Sequence, residues 1–413
     1  MYNNTHLMAK TRKHNGNTHN KSRARKRKRN HNNHTLSTND IYAPIPAVDK
    51  DITALVDVDA IKQNVAYLRK MSGTDIMPVL KSNAYGHGIV EMSRTLRSIG
   101  IKYLGVATIG EAIMLRRNGD TGRILAWLYD IDGPDLIDAF HMEPAIDIAI
   151  FDDTTVEKFI RLIPKGRVIK VTVFVDTGIN RSGVPYDNAF ALFCRLRECP
   201  NVEIEGMMSH LVCSGIKNSP IVNEQLRKFR ELRARLADIN VNPPLVHIAN
   251  TDACLNYDVS DFTLARPGSG IYGLTARFEP HGHMKLAMSL KTHLIQIKEI
   301  EKGAGVGYDW LFVAPRKMKI GILPIGYADI IPRDMTLKTH VYINGSKRRV
   351  LGAISMDQVM VEARDGDRVG EDVYIFGNGR DCPQTVYNLA KMSSTIPHEI
   401  LCHAGYRVRR QYA

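Results

Sequence analysis

The sequence lacks long apolar runs, closely paired cysteines and, over its first 39 residues, any acidic side chain. No stretch of about 18 consecutive apolar residues occurs, so no transmembrane helix is expected. No apolar segment follows the basic start, so no signal peptide is expected. The six cysteines include no Cys-x-x-Cys pair, so we predict reduced thiols, no disulfide framework and no metal site. These absences favour a cytoplasmic protein.

The positive charge is concentrated at the start of the chain. The net charge is +13, but residues 1–39 hold ten Lys and Arg, which leaves +3 for residues 40–413. Residues 1–45 have few aliphatic side chains to offset the entropy cost of ordering, so they are predicted to be a disordered basic tail. Its run KSRARKRKR at 21–29 leaves open an electrostatic contact with nucleic acid or an anionic surface. A solvated extension is the simpler interpretation.

From about residue 75, short apolar runs alternate with amphipathic segments. The runs that predict strands are Ile76–Leu80, Tyr103–Ala107, Ile124–Leu128, Ile146–Ile150, Val168–Val175, Val202–Met208, Leu245–Ala249 and Phe262–Ala265. Helical patterns such as Glu111–Asn118 and Asn223–Ala237 lie between them. Eight such units predict an α/β fold, a (β/α)8 TIM-type barrel over residues 46–285. The first residues of that range could also pair with the C-terminal domain.

Helical patterns become rare after residue 285. The strand-like runs there are Leu294–Ile300, Met318–Pro324, Thr339–Ile343, Val350–Ile354 and Val373–Phe376. Asn344-Gly345 is typical of a hairpin turn, and one helix is predicted at Thr385–Met392. We therefore predict a mainly β C-terminal domain over residues 286–413.

The most specific motif is Lys81-Ser-Asn-Ala-Tyr-Gly-His-Gly, which follows the first predicted strand. A lysine at the carboxyl end of a barrel strand points into the mouth where active sites form. Its amine can form a Schiff base if its surroundings lower its pKa. Taken alone, a lysine after a strand is more often a surface residue, so the assignment depends on its neighbours.

Polar clusters also end four later strands, and each could by itself be a turn or a satisfied core group. They contain Arg181 after the fifth run, His210 after the sixth, Asn250 and Thr251 after the seventh, and Arg266 with Gly268–Gly270 after the eighth. Loops after strands seven and eight commonly bind phosphate in this fold. The Thr251 hydroxyl and the Gly268–Gly270 amides suit that task. Five clusters at the same ends of successive strands predict an active site.

Residues 50–413 resemble the alanine racemase family of fold type III pyridoxal-phosphate enzymes. The matching motifs are Lys81-x-Asn-Ala-Tyr-Gly-His-Gly, Asp-Thr-Gly-x-x-Arg181, His210, Ala-Asn250-Thr251, Arg266-Pro-Gly, Gly-Tyr308, Pro-Ile-Gly-Tyr327-Ala-Asp329 and Ser-Met356-Asp357-Gln. The resemblance implies pyridoxal 5'-phosphate as cofactor and interconversion of L-alanine and D-alanine. It also implies a supply of D-alanine for peptidoglycan synthesis.

The resemblance implies a two-base mechanism in a homodimer. Lys81 would hold the cofactor and serve as one acid/base, and Tyr308 would reach the partner's active site as the other. Arg266 would hydrogen-bond the pyridine nitrogen with support from His210. Arg181 would contact the cofactor phenolic oxygen and the substrate carboxylate.

The remaining implied site residues bind the cofactor or the substrate. The cofactor set includes Tyr85, Asn250, Thr251, Gly268, Ser269 and His398. The substrate set includes Met356, which would offer its backbone amide, with Tyr327 and Asp357 lining the entrance.

Three positions depart from the family pattern. Phe174 stands where many members have a carbamylated lysine that orients the arginine equivalent to Arg181, so another anion or carboxylate would be needed. His398 replaces a tyrosine that binds the phosphate, and its charge would vary with pH. Asp309 replaces the glycine after the catalytic tyrosine, and we expect its side chain to point away from Tyr308.

Three alternatives stay open at this point. A fold type III decarboxylase typically places an acid near the pyridine nitrogen, which Arg266 argues against. A non-catalytic pyridoxal-phosphate carrier would resemble a lone barrel, which the C-terminal domain with Tyr308 argues against. A nucleic-acid-binding protein on a retired enzyme scaffold would have little reason to keep Lys81.

Overall fold

The computed structural model of the chain describes residues 52–275 and 283–413. The predicted basic tail at 1–45 lies outside the described residues. Within the described ranges, no helix has both the length and the apolar character needed to cross a membrane.

The first described range alternates strands and helices. In chain order these are β1 (Thr53–Val56), α1 (Val58–Ser72), β2 (Asp75–Ile76), α2 (Lys81–Tyr85), α3 (Ile89–Ser98), β3 (Tyr103–Thr108), α4 (Ile109–Arg117), β4 (Arg123–Leu128), α5 (Pro134–His141), β5 (Asp147–Ile150), α6 (Val156–Leu162), β6 (Ile169–Asp176), β7 (Val184–Pro185), α7 (Tyr186–Arg197), β8 (Val202–Met208), α8 (Pro220–Ala237), β9 (Leu245–His247), α9 (Thr251–Asn256), β10 (Leu264–Ala265) and a 3-10 turn (Ser269–Tyr272).

Eight parallel strands of this range form a closed ring. Strands β3, β4, β5, β6, β8 and β9 are neighbours in that order, and β10 pairs with β2 in parallel. A bridge between Val79 and Gly105 joins the β2 segment to β3. The N–H of Arg266 donates to the Ala249 carbonyl at 2.7 Å, which joins the β9 and β10 segments. The eight predicted strands and the TIM-type barrel are confirmed.

The helices cover the barrel through the apolar faces that their sequences predict. In α8 the buried side chains include Leu226, Phe229, Leu232 and Leu236, spaced three or four residues apart as one helical face requires. Helix α4 begins at Ile109, two residues before the predicted start, because the Thr108 side chain accepts the N–H of Glu111 and caps it.

The second described range is mainly β, as predicted. Its strands are β11 (Met288–His293), β12 (Gln296–Ile300), β13 (Gly305–Val306), β14 (Phe312–Val313), β15 (Met318–Leu323), β16 (His340–Ile343), β17 (Ser346–Leu351), β18 (Val359–Ala363), β19 (Asp372–Phe376) and β20 (Arg409–Tyr412). Its helices are α10 (Val386–Met392) and α11 (Pro397–Cys402), with 3-10 turns at Tyr308–Trp310 and Arg333–Met335.

One nine-stranded sheet organises this range, in the order β12-β15-β18-β17-β16-β19-β11-β1-β20. Strand β1 lies between β11 and β20, so the first described strand belongs to the C-terminal sheet. The predicted hairpin is confirmed: Asn344 and Gly345 have φ of 47° and 70°, and Ile343 pairs with Ser346. The boundary at 285/286 stays a prediction.

Two local expectations for this range were wrong. The strand predicted at Leu294–Ile300 starts two residues late, as β12 at Gln296, because the Leu294 N–H donates to the Glu371 carbonyl instead of a sheet partner. A second helix, α11, follows the predicted one and carries His398.

Candidate active site

A cavity of about 220 Å³ lies where the carboxyl ends of the barrel strands meet. Its lining contains all ten residues that the sequence assigns to the cofactor: Lys81, Tyr85, Arg181, His210, Asn250, Thr251, Arg266, Gly268, Ser269 and His398. The parallel strands bring them together because their carboxyl ends share one end of the barrel. The last of them, His398, comes from the C-terminal range.

Lys81 is the first residue of α2, which is a left-handed turn with backbone strain and not an ordinary right-handed helix. The next four residues, Ser82 to Tyr85, all have φ between 52° and 56°, a left-handed conformation that costs residues with a Cβ roughly 1 kcal/mol or more each. The Ala84 N–H donates to Leu80 at 2.7 Å, and the Gly86 N–H donates to Ser82 at 3.0 Å. Backbone strain of this kind is typical of functional sites, where the surrounding structure holds it.

The electrostatic surroundings of Lys81 favour its neutral form. Burial lowers the pKa of its amine, the positive charge of Arg181 lowers it further, and Glu111 acts in the opposite direction. Across the described ranges, neither Lys81 nor Arg181 has a carboxylate within ion-pair distance. A lowered pKa leaves more free amine, which is the nucleophilic form of lysine.

Arg266 is a buried residue of the cavity lining, and no acidic partner for it lies among the described residues. Its Nη1 donates to the His247 carbonyl at 2.8 Å and contacts His247 Nδ1, and Nη2 donates to the Ser209 carbonyl at 2.5 Å. Burial lowers the pKa of Arg266 to about 10, so the guanidinium stays charged at neutral pH. A buried cation without a carboxylate is costly, so an acceptor on a ligand would relieve this cost.

His210 and His247 both face Arg266 in neutral form. Burial and the charge of Arg266 lower the pKa of His210 to about 3, and the same two causes lower the pKa of His247 well below its usual value. Of the two histidines, only His247 accepts hydrogen bonds from Arg266, whereas the His210 ring makes none with it in the described structure. The sequence analysis did not identify His247 as a site residue. The one feature that could have indicated it is a histidine inside the otherwise apolar predicted strand Leu245–Ala249.

The opposite end of the cavity suits a phosphate group. A Cβ at Gly268 would lie 2.3 Å from Tyr85 Oη, so only glycine leaves this close approach open. The amides of Gly268 and Ser269 donate to no acceptor within the described ranges. Thr251 Oγ1 accepts the Gly270 N–H at 3.0 Å, which leaves its hydroxyl proton free to donate. Burial raises the pKa of the Tyr85 phenol, which keeps it a hydrogen-bond donor.

These features fit pyridoxal phosphate. The free amides and hydroxyls can donate hydrogen bonds to a phosphate. Lys81 can form a Schiff base with an aldehyde, and Arg266 can donate a hydrogen bond to a pyridine nitrogen. Asn250 lines the cavity, but its side-chain oxygen already accepts the Ala253 N–H and the Ser214 hydroxyl.

His398 lies beside Tyr85 at the same end of the cavity. Its ring meets Tyr85 edge-on, with 6.2 Å between ring centroids, and its Nδ1 is buried without a hydrogen-bond partner in the described structure. Burial and then the charge of Lys81 lower its pKa. His398 is therefore neutral at neutral pH, and its change of charge is displaced towards acid.

Replacing Gly268 with alanine is expected to weaken cofactor retention roughly 10-fold and to destabilise the fold by about 1–3 kcal/mol, because Tyr85 must move to admit the new methyl group. Thermal unfolding and the release rate of pyridoxal phosphate measure the two effects. Gly379→Ala is the matched control, since no heavy atom lies within 4 Å of its added Cβ. Retention equal to that of wild type would contradict the tight contact with Tyr85.

Four predicted residues do not line this cavity; all four belong to the C-terminal range, and we refer to them together as the second cluster. Tyr308 has an exposed fraction of 69%, and Tyr327 and Met356 are also exposed. The Tyr327 N–H donates to the Ser355 carbonyl at 3.1 Å. These four residues, Tyr308, Tyr327, Met356 and Asp357, are therefore exposed and lie outside the cavity lining of their own chain.

Arg407 joins two segments of the second cluster. Its Nε donates to Asp329 at 2.8 Å and its Nη1 donates to Asp357 at 2.7 Å. Asp329 Oδ2 in turn accepts the Gly326 N–H at 2.9 Å. This network ties the segment containing Tyr327 to the one containing Asp357, and the sequence motifs gave no sign of it.

Phe174 and Asp309, two of the departures from the family pattern, have different structural consequences. Phe174 is buried, lines the cavity and packs in an apolar cluster with Met208, so no charge is available there to orient Arg181. Asp309 is exposed, and its φ of 58° is the left-handed conformation that favours glycine; that its side chain points away from Tyr308 stays a prediction.

Comparisons with known proteins match both halves of the chain. The family model for the alanine racemase N-terminal domain matches residues 56–276, and that for the alanine racemase C-terminal domain matches residues 287–412. An alanine racemase of Mycolicibacterium smegmatis is 34% identical over 377 residues, covering 89% of this chain and 96% of its own.

Solved structures agree with the sequence matches. An alanine racemase from D-cycloserine-producing Streptomyces lavendulae has a TM-score of 0.82 at 32% identity, covering 88% of this chain and 97% of its own. One from Bacillus anthracis with bound L-Ala-P has a TM-score of 0.80 at 28% identity, covering 88% and 95%. Because both family models together span nearly all the described residues, this chain belongs to the alanine racemase family, a family of isomerases.

Proposed function

We propose that this protein is a pyridoxal-phosphate-dependent racemase that interconverts L-alanine and D-alanine. The observation that carries the proposal is the cavity that pairs an unpaired Lys81 with a buried Arg266 that lacks a carboxylate. Lys81 supplies an amine that would react with the aldehyde of the cofactor. Arg266 supplies a cation beside the pyridine nitrogen, where a decarboxylase typically has an acid.

When bound, the cofactor delocalises the electrons left at the substrate Cα after a proton is removed. Tyr85, Thr251, His398 and the amides of Gly268 and Ser269 would hold its phosphate. Arg266 Nε or Nη would donate to the pyridine nitrogen and keep it unprotonated. By donating there, Arg266 would favour return of the proton to Cα over side reactions.

Two bases on opposite faces of the substrate would move the proton. Lys81 Nζ would take or return it on one face, and the Tyr308 hydroxyl would act on the other. Arg181, which has no ion-pair partner in the described residues, would bind the substrate carboxylate together with the Met356 amide. Tyr327 and Asp357 would line the entrance.

A head-to-tail homodimer would bring the two clusters together. Tyr308 lies in an exposed apolar segment with Trp310, Leu311 and Val313, each at least half exposed. Such a contiguous apolar patch is typical of an interface, and a two-fold arrangement would place it at the partner's barrel mouth. In this arrangement each active site would combine Lys81 of one chain with Tyr308 of the other.

The substrate is tested by incubating purified, cofactor-supplied protein with single L-amino acids and measuring the D-enantiomers formed. We expect D-alanine as the main product and no amine from decarboxylation. Formation of an amine would favour the decarboxylase alternative, and a D-amino acid other than D-alanine would change the substrate assignment. Growth of a D-alanine auxotroph on this gene would support a role in peptidoglycan synthesis.

A further inference from the structure

Glu111 connects the start of α4 to the turn that carries Lys81. Its Oε2 accepts the Thr108 N–H at 3.1 Å, which completes the capping box of α4, and also accepts the Ala107 N–H at 2.9 Å. Its Oε1 accepts the N–H of Ser82 at 2.6 Å, across 29 positions of the chain. One carboxylate therefore joins the end of β3, the cap of α4 and the residue directly after Lys81.

The bond to Ser82 matters because of where it acts. Ser82 is the first of the four residues with left-handed backbone, so the strain of the turn begins at the peptide that follows Lys81. A hydrogen bond to a carboxylate is roughly twice as strong as one between neutral groups. Glu111 can therefore offset part of the strain at the point where it would otherwise relax.

We propose that Glu111 is the positioning residue of Lys81: its carboxylate fixes the left-handed turn and so aims the lysine amine into the cavity. The inference rests on the proposed role of Lys81 as the cofactor lysine. Glu111 does not line the cavity, so it acts through Ser82 and not by contact with a ligand.

The charge of Glu111 has a second, separate consequence. It raises the pKa of Lys81 against the larger lowering effects of burial and of Arg181. Once Lys81 is joined to the cofactor, the same negative charge would stabilise the protonated form of the linkage. Loss of that charge would allow the linkage to lose its proton at lower pH.

The test compares Glu111→Gln with Thr108→Ala in holoenzyme. Both disturb the capping box of α4, but only the first alters the contact with Ser82. For Glu111→Gln we expect cofactor release roughly 10-fold faster and a titration of the linkage absorbance displaced roughly 0.5–1 pH unit towards acid. For Thr108→Ala we expect a lower Tm, with release and titration as in wild type.

Glu111→Asp provides a second variant that keeps the charge with a shorter reach. We expect its titration to stay near that of wild type while cofactor release becomes faster. The proposal is overturned if Glu111→Gln and Glu111→Asp release cofactor and titrate as wild type does, or if Thr108→Ala reproduces their changes. If wild-type protein supplied with cofactor shows no linkage absorbance, the proposed function fails instead.

Discussion

Replacing Lys81 with alanine is expected to abolish the absorbance band at about 420 nm and to lower racemisation by at least about 10³-fold. The substitution removes the amine that would both hold the cofactor and move one proton. The remaining lining residues would still bind the phosphate, so cofactor should stay associated without the covalent linkage. Absorbance after gel filtration measures the linkage, and D-alanine formation measures the rate.

Lys102→Ala is the matched control, since Lys102 is an exposed lysine of the same barrel. It should keep both the band and the activity. A persistent band in the Lys81→Ala protein would assign the linkage to another lysine. No band in wild-type protein supplied with cofactor would contradict the central proposal.

Replacing Tyr308 with phenylalanine is expected to slow proton removal from one enantiomer about 10²–10⁴-fold more than from the other. Only one face of the substrate would lose its base, since Lys81 serves the other. Incorporation of solvent deuterium at Cα, measured separately for L-alanine and D-alanine, gives the two rates. Equal losses for both enantiomers would contradict the two-base assignment.

The same variant also tests which chain supplies the tyrosine. Mixing inactive Lys81→Ala and Tyr308→Phe proteins should restore about a quarter of wild-type activity after subunit exchange. Half of the dimers would then be mixed, and each would hold one site with both native groups. If Tyr308 served its own chain, mixing would restore nothing. Tyr406→Phe, at another exposed tyrosine of the C-terminal range, is the control for the substitution itself.

The sequence by itself determined the barrel and most of the cavity. Strands of a parallel barrel are buried on both faces, so they appear as continuous apolar runs that can be recognised without knowledge of their partners. Because each run fixes where a strand ends, it also fixes which polar residues meet at the barrel mouth. Lys81, Arg181 and Arg266 were found in this way.

Only the tertiary structure showed which groups form hydrogen bonds with the site residues and their neighbours. The approaches of Glu111 to Ser82 and of His247 to Arg266 join separate strands and helices, and local periodicity carries no record of such pairings. The start of β12 at Gln296 and not at Leu294 has the same cause, since the Leu294 N–H is bonded to Glu371, far along the chain.

The cavity residues and the second cluster show most clearly what the sequence determines and what the tertiary structure determines. Sequence motifs identified Tyr308 alongside Lys81, but only the folded chain reveals that Tyr308 is exposed and absent from the lining of its own cavity. The reason is geometric: a motif specifies the chemistry of a side chain, whereas the direction in which it points depends on the packing of two separate sheets. The sequence therefore determined which residues can carry the reaction, and the tertiary structure decided which of them share a cavity.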